Sequence, residues 1–301
     1  MALIKSVVKL LIREQKRLGF TGQVLALGTP EIYASPAELC SWFPELAGKP
    51  CPVAPATATI STNEHCRKLG YVDAATYFRA LGLGPVVTMD IPGCEHVPDV
   101  VHDLNQPFAA DLQDRFDVVL DAGTTEHVFD MKTCLSSIAG ALKVGGVVIQ
   151  QVPVYSYNGG YYSINPIVLI DFYRANGFTD LSPFLVMWDR YWPFGGPSRV
   201  YPYTEERLGH RHALADYDQC RFVPHLLLFA RKARAVSSIT VPIQFEGHYT
   251  EQDGPARAGG WLRTARDLCY RLLPYPTALY LHQAVTRWLS LRRTRRDAFW
   301  I

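Results

Sequence analysis

The chain has 301 residues, 48% of them hydrophobic and 19% charged, and a formal net charge of +2. That balance excludes a disordered or fibrous chain and leaves room for one large core or two modest ones. No run of 18 apolar residues occurs, so no helix is expected to span a bilayer.

Residues 3–18 place Leu3, Val7, Leu10, Leu11 and Leu18 on one helical face and Lys5, Lys9, Arg13 and Lys16 largely on another. Charge interrupts the apolar run and no small-residue cleavage site follows. The segment 1–20 therefore reads as an amphipathic helix and not as a signal peptide. Gly19 and Gly22 close it, and Gln23 to Gly28 is a short apolar strand entering a turn. From residue 29 to 82 the pattern is irregular and reads as an insert. Ser35-Pro36 starts a helix, Pro50, Pro52 and Pro55 forbid long elements, and Asp73 caps a second helix through Leu81. Strands are expected at 85–91 and 99–105.

The stretch Phe116-Asp-Val-Val-Leu-Asp-Ala-Gly-Thr-Thr-Glu-His-Val-Phe-Asp130 comes next. Its apolar run ends on Asp121, Ala122 and Gly123, and a polar turn then carries Glu126 and His127. A helix over 129–142 and a strand over 146–153 follow. Tyr155 to Asn165 is rich in tyrosine, asparagine and glycine, and residues 166–176 are helical with Gly177 as the C-cap. Strands at 178–188 and 222–230 read as antiparallel partners. Between them, residues 189–221 show no periodicity and are expected to form a lid. Strands alternating with helices predict an α/β chain with a doubly wound, seven-stranded, mostly parallel sheet over 21–232. A helical, basic C-terminal extension occupies 233–301.

The block at 116–151 resembles the fourth and fifth motifs of class I S-adenosylmethionine-dependent methyltransferases, where a strand and turn of the form FDxVxxxxxxEHV precede a helix and LKxGG. With Gly28-Thr-Pro-Glu-Ile-Tyr, Val101-His-Asp-Leu-Asn and Gly160-Tyr-Tyr-Ser-Ile-Asn-Pro, the likeness covers about 20–190 and is similar to a bacterial branch associated with polysaccharide or secondary-metabolite pathways. It implies a Rossmann-like sheet and S-adenosylmethionine as cofactor. The resemblance assigns Gly28 and Thr29 to the turn beneath the cofactor's amino-acid end, Asp90 and Ile91 to the ribose, Asp103 and Leu104 to the adenine, and counts Asp121, Ala122 and Gly123 among the cofactor-binding residues. Asp90-Ile-Pro-Gly also fits a plain turn, and Asp103 a solvated loop acid. The first motif departs from the family pattern: Ala26 stands in place of an acid, and Pro30 and Ile32 in place of further glycines. S-adenosylmethionine has no pyrophosphate, so the phosphate-cradling glycines are not required of this chain.

Methyl transfer to a hydroxyl needs a proton acceptor, and His127 just past the strand end suits that task. It equally suits capping the next helix or orienting the loop. Glu126 is expected to orient the loop or the cofactor's amine. Tyr155, Tyr157, Asn158, Tyr161, Tyr162 and Asn165 follow the fifth strand, where rings that stack and amides that take hydroxyls suit a sugar or aromatic acceptor. A solvated loop with its tyrosines packed on the core is the alternative.

No metal is expected, since His210 and His212 lack acidic partners at ligand spacing. Seven cysteines (Cys40, Cys51, Cys66, Cys94, Cys134, Cys220 and Cys269) without CxxC spacing fit reduced thiols in the cytoplasm. From Trp261 onward eight arginines face Asp267 and Asp297, a balance of +6 that leaves −4 for the preceding 260 residues. This basic amphipathic tail fits the inner face of an anionic membrane, or docking on the core or on a second subunit of a homodimer. The acidic body argues against nucleic acid. Three functions follow: O-methylation of a glycan, glycolipid or natural-product hydroxyl; a non-catalytic subunit that has lost the cofactor, in line with Ala26 and Pro30; and a nucleotide-sugar or dinucleotide enzyme, disfavoured by the absence of GxGxxG after the first strand.

Overall fold

The computed structural model describes residues 2–93, 97–155, 159–189, 198–203, 222–243 and 299–300. The chain opens with a two-residue strand, β1 (Ala2–Leu3), and helix α1 (Lys5–Leu18), which ends at Gly19 in the left-handed conformation. Strand β2 (Gly22–Leu27) leads through the Gly28 turn to β3 (Glu31–Ile32), which pairs in parallel with β1. Helix α2 (Pro36–Ala47) begins with a full capping box: the Ser35 hydroxyl accepts from the Glu38 amide, and the Glu38 carboxylate accepts from the Ser35 amide. A short helix, α3 (Glu64–Lys68), and α4 (Ala74–Ala80) follow, the latter capped by Asp73 as expected.

Strands β4 (Leu83–Asp90), β5 (Val100–Val101) and β6 (Phe116–Asp121) come next. Helix α5 (Met131–Ala141) runs directly into β7 (Leu142–Pro153), and α6 (Pro166–Ala175) precedes β8 (Phe178–Asp189). The described elements end with β9 (Arg199–Pro202), β10 (Phe222–Lys232) and β11 (Phe299–Trp300). The large sheet has the order β11-β9-β8-β10-β7-β6-β2-β4-β5. Strands β5, β4, β2, β6 and β7 are mutually parallel, and β10 runs antiparallel to both β7 and β8.

The seven central strands are those expected from the sequence, and their order, with one reversed strand inserted near the end, is the layout the resemblance implies. β9 and β11 extend the sheet to nine. Residues 199–202, expected within a lid, instead prolong the sheet beside β8. The strand expected over 99–105 shrinks to two residues, because Asp103 turns the chain by accepting from the Asn105 amide and side chain. The helix expected from 129 begins at Met131, with Asp130 as its cap, and Leu142 belongs to β7.

Helices cover both faces. One core cluster joins Leu3, Val7, Leu10, Leu11 and Ile12 of the N-terminal segment to Phe43, Tyr77 and Phe78 of the 29–82 insert and to Ile149, Leu227 and Phe229 of the sheet. The other joins Leu135 and Ile138 of α5 and Leu169 and Tyr173 of α6 to Val119, Val148 and Leu228. Each such aliphatic side chain contributes roughly 1.5–3 kcal/mol on burial, so the apolar face of α1 is committed to the core and is not a membrane face. Its basic side is partly engaged as well: Lys5 pairs with Glu38, Lys9 lies over the Trp42 ring, and Arg13 and Arg17 pair with Glu14. The arginine-rich stretch 261–296 lies outside the described residues. Among the described residues no helix is long and apolar enough to cross a membrane.

Candidate active site

The chain's order in the sheet reverses between β2 and β6, and in an open α/β sheet ligands bind at the carboxyl ends of the strands on either side of that point. Leu27 lies opposite Met89 on one side and Asp121 on the other, so the turns after β2, β4 and β6 share one edge. Gly28 takes φ +79°, and its amide donates to Met89 O at 2.6 Å, drawing the first turn against β4. The Thr124 hydroxyl donates to Leu27 O at 2.8 Å, tying the third turn to the first. Pro30 is buried and Ile32 pairs with Leu3. The positions where the glycine pattern fails are therefore used to build the small β1–β3 ladder.

Asp90 ends β4 half-buried, its carbonyl accepting from the His102 amide and its Oδ1 from the Ile91 amide. Ile91 beside it is exposed. Asp103 is exposed, and the two bonds from Asn105 hold its carboxyl below the usual range. Leu104 packs into the core with Phe108 and Val128, so its side chain serves the fold first.

Asp121, expected to bind the cofactor, has its carboxylate engaged within the protein. It is 0% exposed. Its Oδ1 accepts from the amides of Gly123, Thr124 and Thr125, and its Oδ2 accepts from the Thr125 hydroxyl and the Gln150 amide group. Gln150 in turn accepts from the Tyr173 hydroxyl at 2.6 Å. The carboxylate is spent inside the protein, where it shapes the turn that presents Glu126. Ala122 is likewise buried in the core.

Glu126 and His127 sit in one turn of 3-10 helix, Thr125–His127, and face opposite ways. His127 is exposed, and among the described residues no hydrogen bond holds its ring. Glu126 is 5% exposed, and its Oε2 is buried without a hydrogen-bond partner. Burial, and then the neighbouring Asp121 charge, push its carboxyl up to about 8. Two glycines make room for it. A Cβ on Gly123 would stand 3.1 Å from Oε1, and one on Gly160 would meet Glu126 O at 2.8 Å and Cγ at 2.9 Å. The Glu126 carbonyl accepts from the amides of Tyr161 and Tyr162 at 2.8 and 3.2 Å, which clamps the loop after β7 over this turn.

That loop carries the expected acceptor-binding residues, and they divide. Tyr161 is 69% exposed and meets Phe129, itself 71% exposed, edge to face at 5.7 Å. Tyr155 is also exposed. Tyr162 is half-buried and donates to Phe129 O. Asn165 does not serve a ligand through its carbonyl: Oδ1 accepts from the Ile167 amide and caps α6. Tyr157, Asn158, His210 and His212 lie outside the described residues. Phe129 and Gly160 stand within the motifs quoted above, but sequence gives neither a role of its own, since a lone aromatic before a helix cap and a glycine in a glycine-rich loop carry no signature of what they contact.

No family model matches the chain, and neither does any curated protein. Solved structures with a similar course include the 1,6-didemethyltoxoflavin-N1-methyltransferase of Burkholderia thailandensis, at 16% identity and a TM-score of 0.36 over 75% of this chain and 80% of that one. An S-adenosylmethionine-dependent methyltransferase from Archaeoglobus fulgidus is similar at 14% identity and a TM-score of 0.37, over 75% and 94% respectively. At such scores the strand order, and not these likenesses, carries the fold.

Proposed function

We propose that this protein is an S-adenosylmethionine-dependent methyltransferase acting on a hydroxyl acceptor. The observation that carries the reading is Glu126: a buried carboxyl with an orphaned oxygen, at the switch point of a doubly wound sheet. An acceptor atom left without a donor inside a protein costs free energy unless a ligand supplies one. The ammonium of an amino-acid-bearing cofactor is such a donor, and its charge favours the ionised carboxylate that burial otherwise opposes.

The other residues fit the same group. Gly28 allows close backbone approach beneath the amino-acid end. Asp90 would accept from paired ribose hydroxyls, and the exposed Asp103 from an exocyclic amine. When bound, the cofactor supplies an electrophilic methyl group on sulfur, so the protein's task is alignment. His127, exposed on the same turn, would take the acceptor's hydroxyl proton. The crossed rings of Phe129 and Tyr161 offer an apolar surface beside it. Reading the acceptor as a glycan, glycolipid or natural product rests on this aromatic, hydroxyl-compatible mouth and on the resemblance of the chain.

The test is calorimetric titration with S-adenosylhomocysteine at pH 7 in two buffers of different ionisation enthalpy. Wild type is expected to bind and to release close to one proton, because a carboxyl of pKa about 8 is mostly protonated at pH 7. Glu126→Gln is expected to bind more weakly and release none. Absence of binding at millimolar ligand defeats the proposal. Binding without proton release places the ammonium elsewhere.

A further inference from the structure

A second set of orphaned polar groups crosses the adjoining strands. Gln151 Oε1 on β7, His225 Nδ1 on β10 and Trp188 Nε1 on β8 are each buried without a hydrogen-bond partner. Register puts all three on one face. Gln151 lies opposite Leu227, His225 opposite Pro153 and Val186, and Trp188 opposite Val223. Successive members are therefore diagonal neighbours, close enough for long side chains to share a ligand. Gln151 is only 8% exposed, and the Trp188 and His225 rings meet nearly perpendicular at 5.5 Å. The diagonal runs from the last turns of β7 to the start of β10, at the sheet edge where Glu126 stands.

We infer that the end of this face where Gln151, His225 and Trp188 meet, beyond the part covered by α1, is a recognition surface for the acceptor, and that it takes an uncharged, hydroxyl-bearing ring such as a neutral sugar. The inference rests on the methyltransferase reading for its link to catalysis. Its chemistry comes from the three groups themselves. A glutamine carbonyl needs a donor, an indole N–H needs an acceptor, and the imidazole nitrogen takes either role according to tautomer. A hydroxyl is donor and acceptor at once, so neighbouring ring hydroxyls satisfy all three without a fixed order. None of the three carries charge at neutral pH, since burial pushes the His225 imidazole down to about 4. An anionic ligand gains no ionic partner from them.

The test has two parts. Gln151→Leu replaces the orphaned amide with an apolar side chain of similar shape, whereas Trp188→Phe also deletes a ring and leaves a cavity, so stability is read on the first alone. In the unliganded protein Gln151→Leu is expected to raise the melting temperature by roughly 2–5 °C. A fall means that Gln151 is satisfied within the protein and overturns the site. Indole N–H resonances are then recorded with methyl α-D-glucopyranoside and, separately, with D-glucuronate, the Trp188→Phe spectrum assigning the Trp188 peak. The neutral glycoside is expected to shift that peak and the uronate to leave it in place. No shift with either, or equal shifts with both, overturns the ligand class. Wild-type affinity for S-adenosylhomocysteine is expected in Gln151→Leu. If wild type itself fails to bind that ligand, only the catalytic link falls, and the melts and spectra still decide the site.

Discussion

The raised carboxyl of Glu126 ties the stability of the free protein to pH in a direction opposite to that of a paired carboxylate. Its folded value is about 8 against an ordinary value of 4.5. Below pH 4.5 both states hold the proton and the group costs nothing. Between 4.5 and 8 the unfolded chain loses its proton while the folded protein keeps it, so the unfolded state gains and stability falls as pH rises. Above 8 the loss is complete. Linkage over the window from pH 5 to 8.5 gives a fall of about 4 kcal/mol from this one group, a ceiling that water entering the turn would lower. Glu126→Gln keeps the shape and removes the titration. Urea unfolding of both proteins from pH 5 to 8.5 should therefore give curves that nearly coincide at pH 5 and diverge steadily, with the variant the more stable at the alkaline end. Other titrating groups cancel in the difference. Parallel curves would mean that Glu126 ionises as freely as in water, and the buried-carboxyl argument would fail with them.

Four further outcomes are expected. Gly160→Ala drives a methyl into the Glu126 backbone and Cγ, and should weaken S-adenosylhomocysteine binding at least tenfold by calorimetry while leaving circular dichroism unchanged; wild-type affinity would show that the loop yields. Asp90→Ala should cost about 1.5–3 kcal/mol of cofactor affinity through lost charged hydrogen bonds, and unchanged affinity would remove the ribose role alone. Tyr173→Phe strips the donor from buried Gln150 Oε1 and should lower unfolding free energy by about 1–3 kcal/mol in urea. His127→Ala should reduce turnover about 10²–10⁴-fold with cofactor affinity retained if the imidazole is the base; near-normal turnover would leave it a loop residue.

Sequence showed most where the physical cause is local. The apolar run from Phe116 to Asp121, the Ser35-Pro36 start and the Asp73 cap each act over a few residues, and each element appears where it was expected. Elements settled by distant partners were less visible. β9 is four residues whose strand character depends on lying beside Phe184 to Met187. The third strand is shorter than its sequence suggests, because apolar and polar residues near 99–105 hide the turn made by Asp103 and Asn105. At the site, the motif brought Asp121, Glu126 and His127 together, but not their division of labour. Asp121 turns inward because Gln150, 29 residues away, supplies its partner. Glu126 is buried and its carboxyl raised because Gly160 lets a later loop close over it.

The docking of α1 bears on how the chain reaches this state. Leu3 to Ile12 share a core with Leu227 and Phe229, and the Arg231 guanidinium donates to Leu18 O across 213 residues of sequence. Helix α1 therefore precedes in the chain, by about 200 residues, the strand that completes its seat. During synthesis its apolar face has no complete seat until β10 has emerged, and contacts of such separation make for slow folding.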